Sequence, residues 1–324
     1  MKKTVSVMLV IIFMLITGVC PAAQSEVDSY GAGDQPGVVK AMTFNIRVDT
    51  FLDVFGHGWG GRKKIAAETI SKNAPDVVGV QEALNKQVRY LDGALPGYAC
   101  YTAGRSDGKT RGESCAILYR KDRFRLVDSG TFWFSNKPYK PGSKGWGNIP
   151  PRICSWVYLT ENGSTGGFYV YNVHLDNLSQ KSRARSVELL AKMVGERKTD
   201  DPFIVMGDFN MKIDNPAMRF LCRNGVNTSY PKMYDAFESV YPGQARGTGT
   251  RHGFNGKVNG PRIDHMPVCA TTKVLDVKID RYNVKGKYPS DHFPVVATIL
   301  LNDKLPEAKT YLTLEGTKKV KDIQ

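Results

Sequence analysis

The chain has 324 residues, 41% of them hydrophobic and 23% charged, enough apolar content to bury the core of one large α/β domain or two smaller ones. Its formal charge of +14 draws anionic partners such as phosphates, nucleic acid and acidic lipid surfaces, but it has no stripe of interleaved lysines and aromatics, so specific nucleic-acid reading is not supported. No cysteine has CxxC spacing, which argues against a cysteine zinc site.

The first residues are Lys2-Lys3, an apolar stretch from Val5 to Val19 and then Cys20-Pro-Ala-Ala. A basic start, a short apolar run and small residues predict a signal peptide over 1–23, cut near Ala22 or Ala23. The run is too short for a comfortable membrane span. Lipid attachment at Cys20 is the alternative, disfavoured by the bulk of Val19. The mature chain is therefore expected to be secreted or periplasmic, monomeric and without a transmembrane span. Loss of Lys2 and Lys3 leaves 43 basic against 31 acidic residues. Five cysteines remain, so at least one is unpaired within the chain. Cys115 and Cys154 fall in apolar, strand-like runs and read as buried small hydrophobes.

A polar, Gly-rich linker over 24–37 precedes one domain over 38–302. Strands are expected over 38–46, 77–81, 114–120, 123–134, 153–160, 167–175, 202–210, 262–268, 273–282 and 293–301. Helices are expected over 61–73, with Ile65, Thr69 and Ile70 at helical spacing, and over 179–198, with Val187, Leu190, Ala191 and Val194 on one face. The stretch 135–151 is dense in Gly, Pro and Trp and reads as loop. Several strands pair at hairpin distance and helices separate only some of them, which predicts an α+β arrangement of two sheets with helices outside. Residues 303–324 form a charged tail without a clear partner.

One pattern recurs along these strands. Each runs apolar and then stops on a group able to bind a metal or move a proton: Asn45; Gln81-Glu82; Asn172, His174 and Asp176; Asp208 and Asn210; Asp264. The last strand begins with Asp291-His292, an acid beside a base. Any one of these suits a solvated strand end or a turn. Six of them suit one rim where two sheets deliver their ends. Asn45, Glu82 and Asp291 are hard oxygen donors appropriate to Mg²⁺ or Mn²⁺. His174 and His292 can transfer protons or stabilise charge near neutral pH. Asp208 can orient or deprotonate a water, and Asp264, if beside His292, would fix its tautomer and raise its proton affinity. A cation, a positioned water and an imidazolium together fit attack at phosphorus.

The segments "MTFNIR", "VVGVQEA", "YNVHLD", "VMGDFN", "RIDH" and "YPSDHFPVVA", in this order, resemble the endonuclease/exonuclease/phosphatase superfamily, the metal-dependent phosphoesterases related to deoxyribonuclease I. The resemblance runs from about residue 40 to 300. "GRSDGKTRGE", "GTFWFSNKP" and "PPRICSW" resemble a secreted bacterial subgroup of undefined substrate. The resemblance implies a four-layer α/β sandwich, two mainly antiparallel sheets face to face with helices outside. It also implies roles: metal binding for Asn45, Glu82 and Asp291; water activation for Asp208; contact with the scissile phosphate for Asn210; phosphate stabilisation for His174; and a His292–Asp264 pair. The implied activity is a secreted Mg²⁺- or Mn²⁺-dependent phosphoesterase, a phosphodiesterase acting by direct water attack. Its anionic phosphoester substrate is a nucleic acid, a phospholipid headgroup or a sugar phosphate. An extracellular nuclease and a sphingomyelinase-like phospholipase are the specific alternatives. From another class, a non-catalytic phosphate-binding protein on the same scaffold would be marked by loss of Glu82, Asp208 or His292, and all three are present.

Other residues are less telling. Arg62, Arg105 and Arg152 can each anchor an anionic group, although solvated charge is the ordinary fate of such residues; Arg152 is the best placed, opening a strand beside an aromatic loop. Trp59, Trp133, Trp146 and Tyr139 fall in Gly-rich surroundings, where they either stack on a substrate or pack the loops; Trp146 and Arg152 are the candidates for substrate binding. His57 and His252 read as loop residues. His265 alternates away from Asp264 and is expected to be buried.

Overall fold

A computed structural model of the chain describes residues 35–302, except 54–55, 165, 223–229 and 245. The expected signal peptide, most of the linker and the 303–324 tail lie outside the described residues. The elements in chain order are β1 (Val38–Asn45), α1 (Trp59–Asn73), β2 (Val77–Ala83), α2 (Asn85–Ala94), β3 (Tyr98–Tyr101), β4 (Ser114–Arg120), β5 (Phe124–Trp133), β6 (Ile153–Glu161), β7 (Gly167–His174), α3 (Gln180–Gly195), β8 (Phe203–Asp208), α4 (Pro216–Cys222), β9 (Met233–Asp235), α5 (Ala236–Val240), β10 (Asp264–His265), β11 (Pro267–Cys269), β12 (Lys273–Ile279) and β13 (Val295–Leu300). The run expected as one strand over 262–268 is split into the short β10 and β11.

Two mixed sheets result. One runs β12-β13-β1-β2-β4-β3; the other runs β5-β6-β7-β8-β11-β9, with β10 paired to β8. Only β1–β2 and β7–β8 are parallel; the remaining pairings are antiparallel, as hairpin-length connections allow. Three apolar layers separate four structural ones. Val39, Ala41, Val77, Ile117, Val170, Ile204, Met206 and Ala297 pack between the sheets. Met42, Phe44, Val78 and Val80 face outward, against Ala66 and Ile70 of α1 and Leu91 of α2. On the other flank Tyr171, Val173, Phe203 and Val205 meet Val187, Leu190, Ala191 and Val194 of α3 and Met218 of α4. Helix α3 starts where Ser179 accepts from Ser182 N–H at 3.1 Å, an N-cap in the usual sense.

The period of two along each strand decides where the polar ends go. On β1, Val39 and Ala41 face the inter-sheet core, so Asn45 shares their side. On β7, Phe168 and Val170 do, and the same parity carries Asn172 and His174 inward. On β8, Ile204 and Met206 carry Asp208. Just beneath the strand ends the two sheets are tied by side chains. Gln81 Nε2 donates to Asn172 Oδ1 at 2.7 Å, and Asn172 Nδ2 donates to the carbonyls of Val80 and Ala116 at 3.0 and 2.8 Å. Asn172 is thus a buried inter-sheet tie and not a rim residue.

Gly207, next to Asp208, has φ +153°, and a Cβ there would lie 2.1 Å from the Val173 carbonyl oxygen. That oxygen belongs to the β7–β8 ladder and cannot swing away. Gly207→Ala should therefore destabilise the protein by about 3 kcal/mol or more, read as a lowered urea midpoint; an unshifted midpoint would mean that β7 and β8 are not in this register.

Candidate active site

Register brings the site together. His174 pairs with Asp208 across β7 and β8, and Asp264 pairs with Asp208 across β10 and β8, so three polar groups stand side by side on adjacent strands. His292 closes on them from the segment before β13: its Nδ1 is 2.8 Å from Asp264 Oδ2 and its Nε2 is 4.0 Å from Asp208 Oδ2. His174 Nε2 is 3.7 Å from the same oxygen. From the other sheet, Asn45 Nδ2 donates to Asp208 Oδ2 at 3.0 Å and to Glu82 Oε1 at 3.1 Å. The amide braces two carboxylates that would otherwise repel. Its oxygen accepts from Arg47 N–H at 2.9 Å.

Strand parity alone would turn Glu82 outward, because Val78 and Val80 face α1 and α2. The register of β2 against β4 shifts between Val80 and Ala83, and Glu82 has φ +60°. This irregularity re-aims the carboxylate into the site, where Oε2 accepts from Val48 N–H at 2.8 Å. Asn210 has φ +51°; its N–H donates to Asp208 Oδ1 at 2.8 Å, and Nδ2 donates to the Leu175 carbonyl at 3.1 Å. Arg47 has φ +57° as well; non-glycine residues in this left-handed region cost about 1–3 kcal/mol each, and three of them fall within one site.

Glu82, His174, Asp208, Asn210 and His292 line a cleft of about 440 Å³ with Asp291, Arg47, Arg105, Glu113, Arg152, Asn177 and Arg251, while Asn45 and Asp264 stand behind the lining. Its electrostatics are divided. Burial, reinforced by Arg152 and Arg105, holds His174 well below the usual histidine range, so it is neutral near pH 7. Burial disfavours charge on His292 too, but contact with Asp264 outweighs it and raises the imidazole to about 10. Burial and the neighbouring Asp264 push Asp208 above the ordinary carboxylate range. The two histidines are thereby set apart, one neutral and one cationic, by different neighbours.

The donors fit a hard divalent cation. Among the described residues, ligand atoms lie within 4.8 Å of one another in two sets; in Glu82–His174–Asp208 the histidine is neutral and able to ligate, whereas in Asp208–Asp264–His292 the imidazolium has no lone pair to give. Asp264 Oδ1 is buried without a hydrogen-bond partner, a cost that the neighbouring His292 imidazolium, bonded to the other oxygen, offsets only in part.

Several expectations are corrected. Trp146 does not line the cleft. Its indole donates to Asn136 Oδ1 at 3.0 Å, and it packs beside α3 in a separate hollow with Lys181 and Arg185. Trp59 opens α1 and Trp133 ends β5, both buried. The arginines are not solvated. Arg62 is 1% exposed and Arg152 is 5% exposed, because each finds enough carbonyl or carboxylate partners to leave water. Arg152 Nη2 donates to Asn177 Oδ1 at 2.9 Å, with Nε 3.4 Å from Asp176 Oδ2. His57 stacks on Phe254 and His252 on Phe293, and neither lines the cleft. His265 is buried, as alternation predicts, its Nε2 2.9 Å from the Met211 carbonyl and its Nδ1 3.4 Å from Asp235. Cys100, Cys115, Cys154 and Cys269 are free thiols.

Arg47, Glu113, Asn177 and Arg251 line the cleft without having been singled out. Arg47 had a signal, since it closes the segment "MTFNIR"; it now pairs with Asp53 at 2.9 Å and approaches Asp291 at 4.0 Å. Glu113 had one too, since it closes the segment "GRSDGKTRGE"; Asn177 had none, being an ordinary polar residue of a loop.

Residues 42–292 match the model of the Endonuclease/Exonuclease/phosphatase family. A solved member of that family from Bacteroides thetaiotaomicron is 31% identical with a TM-score of 0.75, covering 84% of this chain and 98% of its own. A Bacteroides thetaiotaomicron mannosyl-6-phosphatase is 31% identical with a TM-score of 0.73, covering 81% of this chain and 99% of its own. An uncharacterised protein of Acanthamoeba polyphaga mimivirus is 27% identical over 161 residues, 47% of this chain. This chain spans only 59% and 37% of the lengths of the curated relatives it matches. Among the described residues, no helix is long and apolar enough to cross a membrane.

Proposed function

We propose that this chain, which belongs to the endonuclease/exonuclease/phosphatase family of phosphoester hydrolases, cleaves a phosphoester by direct attack of water, with Glu82 and Asp291 as the principal holders of an Mg²⁺ or Mn²⁺ ion and Asn45 beside them. The observation that carries this reading is the register that aligns His174, Asp208 and Asp264 on adjacent strands, with His292 held 2.8 Å from Asp264. When bound, such a cation neutralises phosphate oxygens and charge that develops at phosphorus.

The remaining work falls to the chain's own groups. Asp208 takes a proton from the attacking water as the water oxygen bonds to phosphorus; its raised proton affinity makes it a better base than a solvated carboxylate. The bond from phosphorus to the leaving oxygen breaks, and that oxygen leaves as an alcohol by taking a proton from solvent water, to which Asp208 later returns the proton it took. Imidazolium His292 faces the charge that accumulates on the non-bridging oxygens. Neutral His174 donates a hydrogen bond without adding charge. Arg152, already fixed by Asp176 and Asn177, presents its fork to a phosphate oxygen, and Asn210 keeps Asp208 aimed through its own N–H.

A phosphodiester is the first reading of the substrate. The similarity to a mannosyl-6-phosphatase at 31% identity over 99% of that chain favours a second, a phosphomonoester. Export through the N-terminal segment would place either substrate outside the cytoplasm. The test compares bis(p-nitrophenyl) phosphate with p-nitrophenyl phosphate, each with and without a chelator. Hydrolysis should vanish on chelation and return with Mg²⁺ or Mn²⁺, and the faster ester tells diesterase from monoesterase. Equal rates with and without chelator would reject the metal-dependent reading.

A further inference from the structure

The part of the cleft around Arg105 and Arg152 narrows the identity of the leaving group. Among the described residues that line the cleft there is no Phe, Tyr or Trp, its only rings are the inward imidazoles of His174 and His292, and only Val48 and Pro150 are apolar. A nucleobase is gripped by stacking and an acyl chain by apolar walls; the lining offers neither. The exposed apolar side chains that follow or precede lining residues in sequence, Phe51, Leu52, Ile149 and Leu178, stand outside the lining.

What the lining does offer is polar and fixed in advance. The 104–113 loop is closed by backbone bonds from Arg105 N–H to the Glu113 carbonyl at 2.9 Å and from Ser106 N–H to the Arg111 carbonyl at 3.0 Å. Trp133 Nε1 fastens it by donating to the Arg105 carbonyl at 2.7 Å. Within that frame Arg105 Nη2 is paired with Glu113 Oε1. Arg152 holds Asn177 through its Oδ1 in the same way. Each pair leaves one atom over: among the described residues, Glu113 Oε2 and Asn177 Nδ2 have no partner. One is a charged acceptor and the other a donor, each already held in place by a guanidinium. A hydroxyl group both donates and accepts, and fixed groups of this kind bind hydroxyls with little loss of side-chain freedom.

Resting on the second, phosphomonoester reading above, we propose that Glu113 and Asn177 bind hydroxyl groups of the leaving alcohol, and that the substrate is a phosphorylated carbohydrate or similar polyol. Arg105 and Arg152 then serve two ends at once, orienting these readers and facing the phosphate. A site built to hydrogen-bond a hydroxyl rejects an analogue that lacks it far more strongly than an apolar pocket rejects an extra methylene.

The test measures kcat/KM of the Mg²⁺-loaded enzyme on glucose 6-phosphate, mannose 6-phosphate, p-nitrophenyl phosphate, thymidine 5′-(p-nitrophenyl phosphate) and vesicles containing phosphatidic acid. A hexose phosphate should be preferred over p-nitrophenyl phosphate although the aryl oxide is the better leaving group. Glu113→Gln and Asn177→Ala should each reduce that preference about tenfold, the loss expected when a hydrogen bond to a charged or fixed partner is removed. Asn177 is exposed, so its variant keeps the test valid should Glu113→Gln fold poorly. A ratio unmoved in both variants, or a preference for the nucleotide ester or the lipid, overturns the proposal. Turnover of p-nitrophenyl phosphate without hexose preference overturns it alone; no turnover of any ester overturns the phosphoester reading with it.

Discussion

His292→Ala should lower turnover by about a hundredfold or more, the scale of a lost acid–base or electrostatic group. The imidazole is 3% exposed and 2.8 Å from Asp264, so its removal also leaves a buried carboxylate without its cation. A fall in melting temperature is expected alongside the fall in rate, and Asp264→Asn separates the two effects. That variant keeps the ring in place and removes the foremost of the charges that raise it, which also helps to raise Asp208. In the intact protein His292 is protonated up to a pH of about 10, so rate lost through its deprotonation appears only on approach to that pH. Without the Asp264 charge, burial dominates and the alkaline limb moves down toward neutrality. Unchanged turnover in His292→Ala, or an alkaline limb unmoved in Asp264→Asn, would show that this pair does not act in the reaction. Glu82→Gln tests the other sheet's contribution in the same assay and should cost a similar factor.

Arg62→Leu, in the first turn of α1, should strongly destabilise the loop that follows β1. Its Nε donates to the His57 carbonyl at 2.7 Å, Nη1 to those of Ile46 and of Pro289 (the latter at 3.3 Å), and Nη2 to those of Arg47 and Val48 at 2.8 and 3.2 Å. The guanidinium therefore clamps the chain just after Asn45 to the chain just before Ser290 and Asp291, with the Trp59 ring 5.2 Å away. Burial lowers its proton affinity to about 10, which leaves it charged at neutral pH. Leucine fills the volume and satisfies none of the five carbonyls. Removing one side of a buried charged network costs about 3–5 kcal/mol, which for a domain of this size lowers the melting temperature by roughly 10 °C. Lysine should recover little, since a single ammonium cannot fork to carbonyls on both sides. A melting temperature within 2 °C of the parent, on the order of 1 kcal/mol or less, would mean that these contacts are not made in solution.

Much of the architecture is legible from local pattern. The helices with clear apolar spacing, α1 and α3, and nearly all the long strands stand within a few residues of where periodicity puts them. The elements that escape notice are short. Helix α2 has ten residues and buries only Gln87, Val88 and Leu91, too few to establish a period, and it is anchored by Gln87 Oε1 accepting from Leu84 and Asp49 N–H groups. Helices α4 and α5 are shorter still.

By itself the sequence determined which side chains end the strands, because alternation along a strand is a local property that each segment carries with it. It determined in the same way that Asn45, His174 and Asp208 share the parity of core residues. Only the tertiary structure decided that those ends meet, since that depends on β1 and β2 in one sheet facing β7 and β8 in the other. It alone decided that Glu82 joins them, through a backbone irregularity against its own parity, and that Arg62 and Arg152 are buried while Trp146 is left outside the cleft. Whether a guanidinium leaves water is set by how many acceptors distant segments bring to it, and no window of sequence contains that sum.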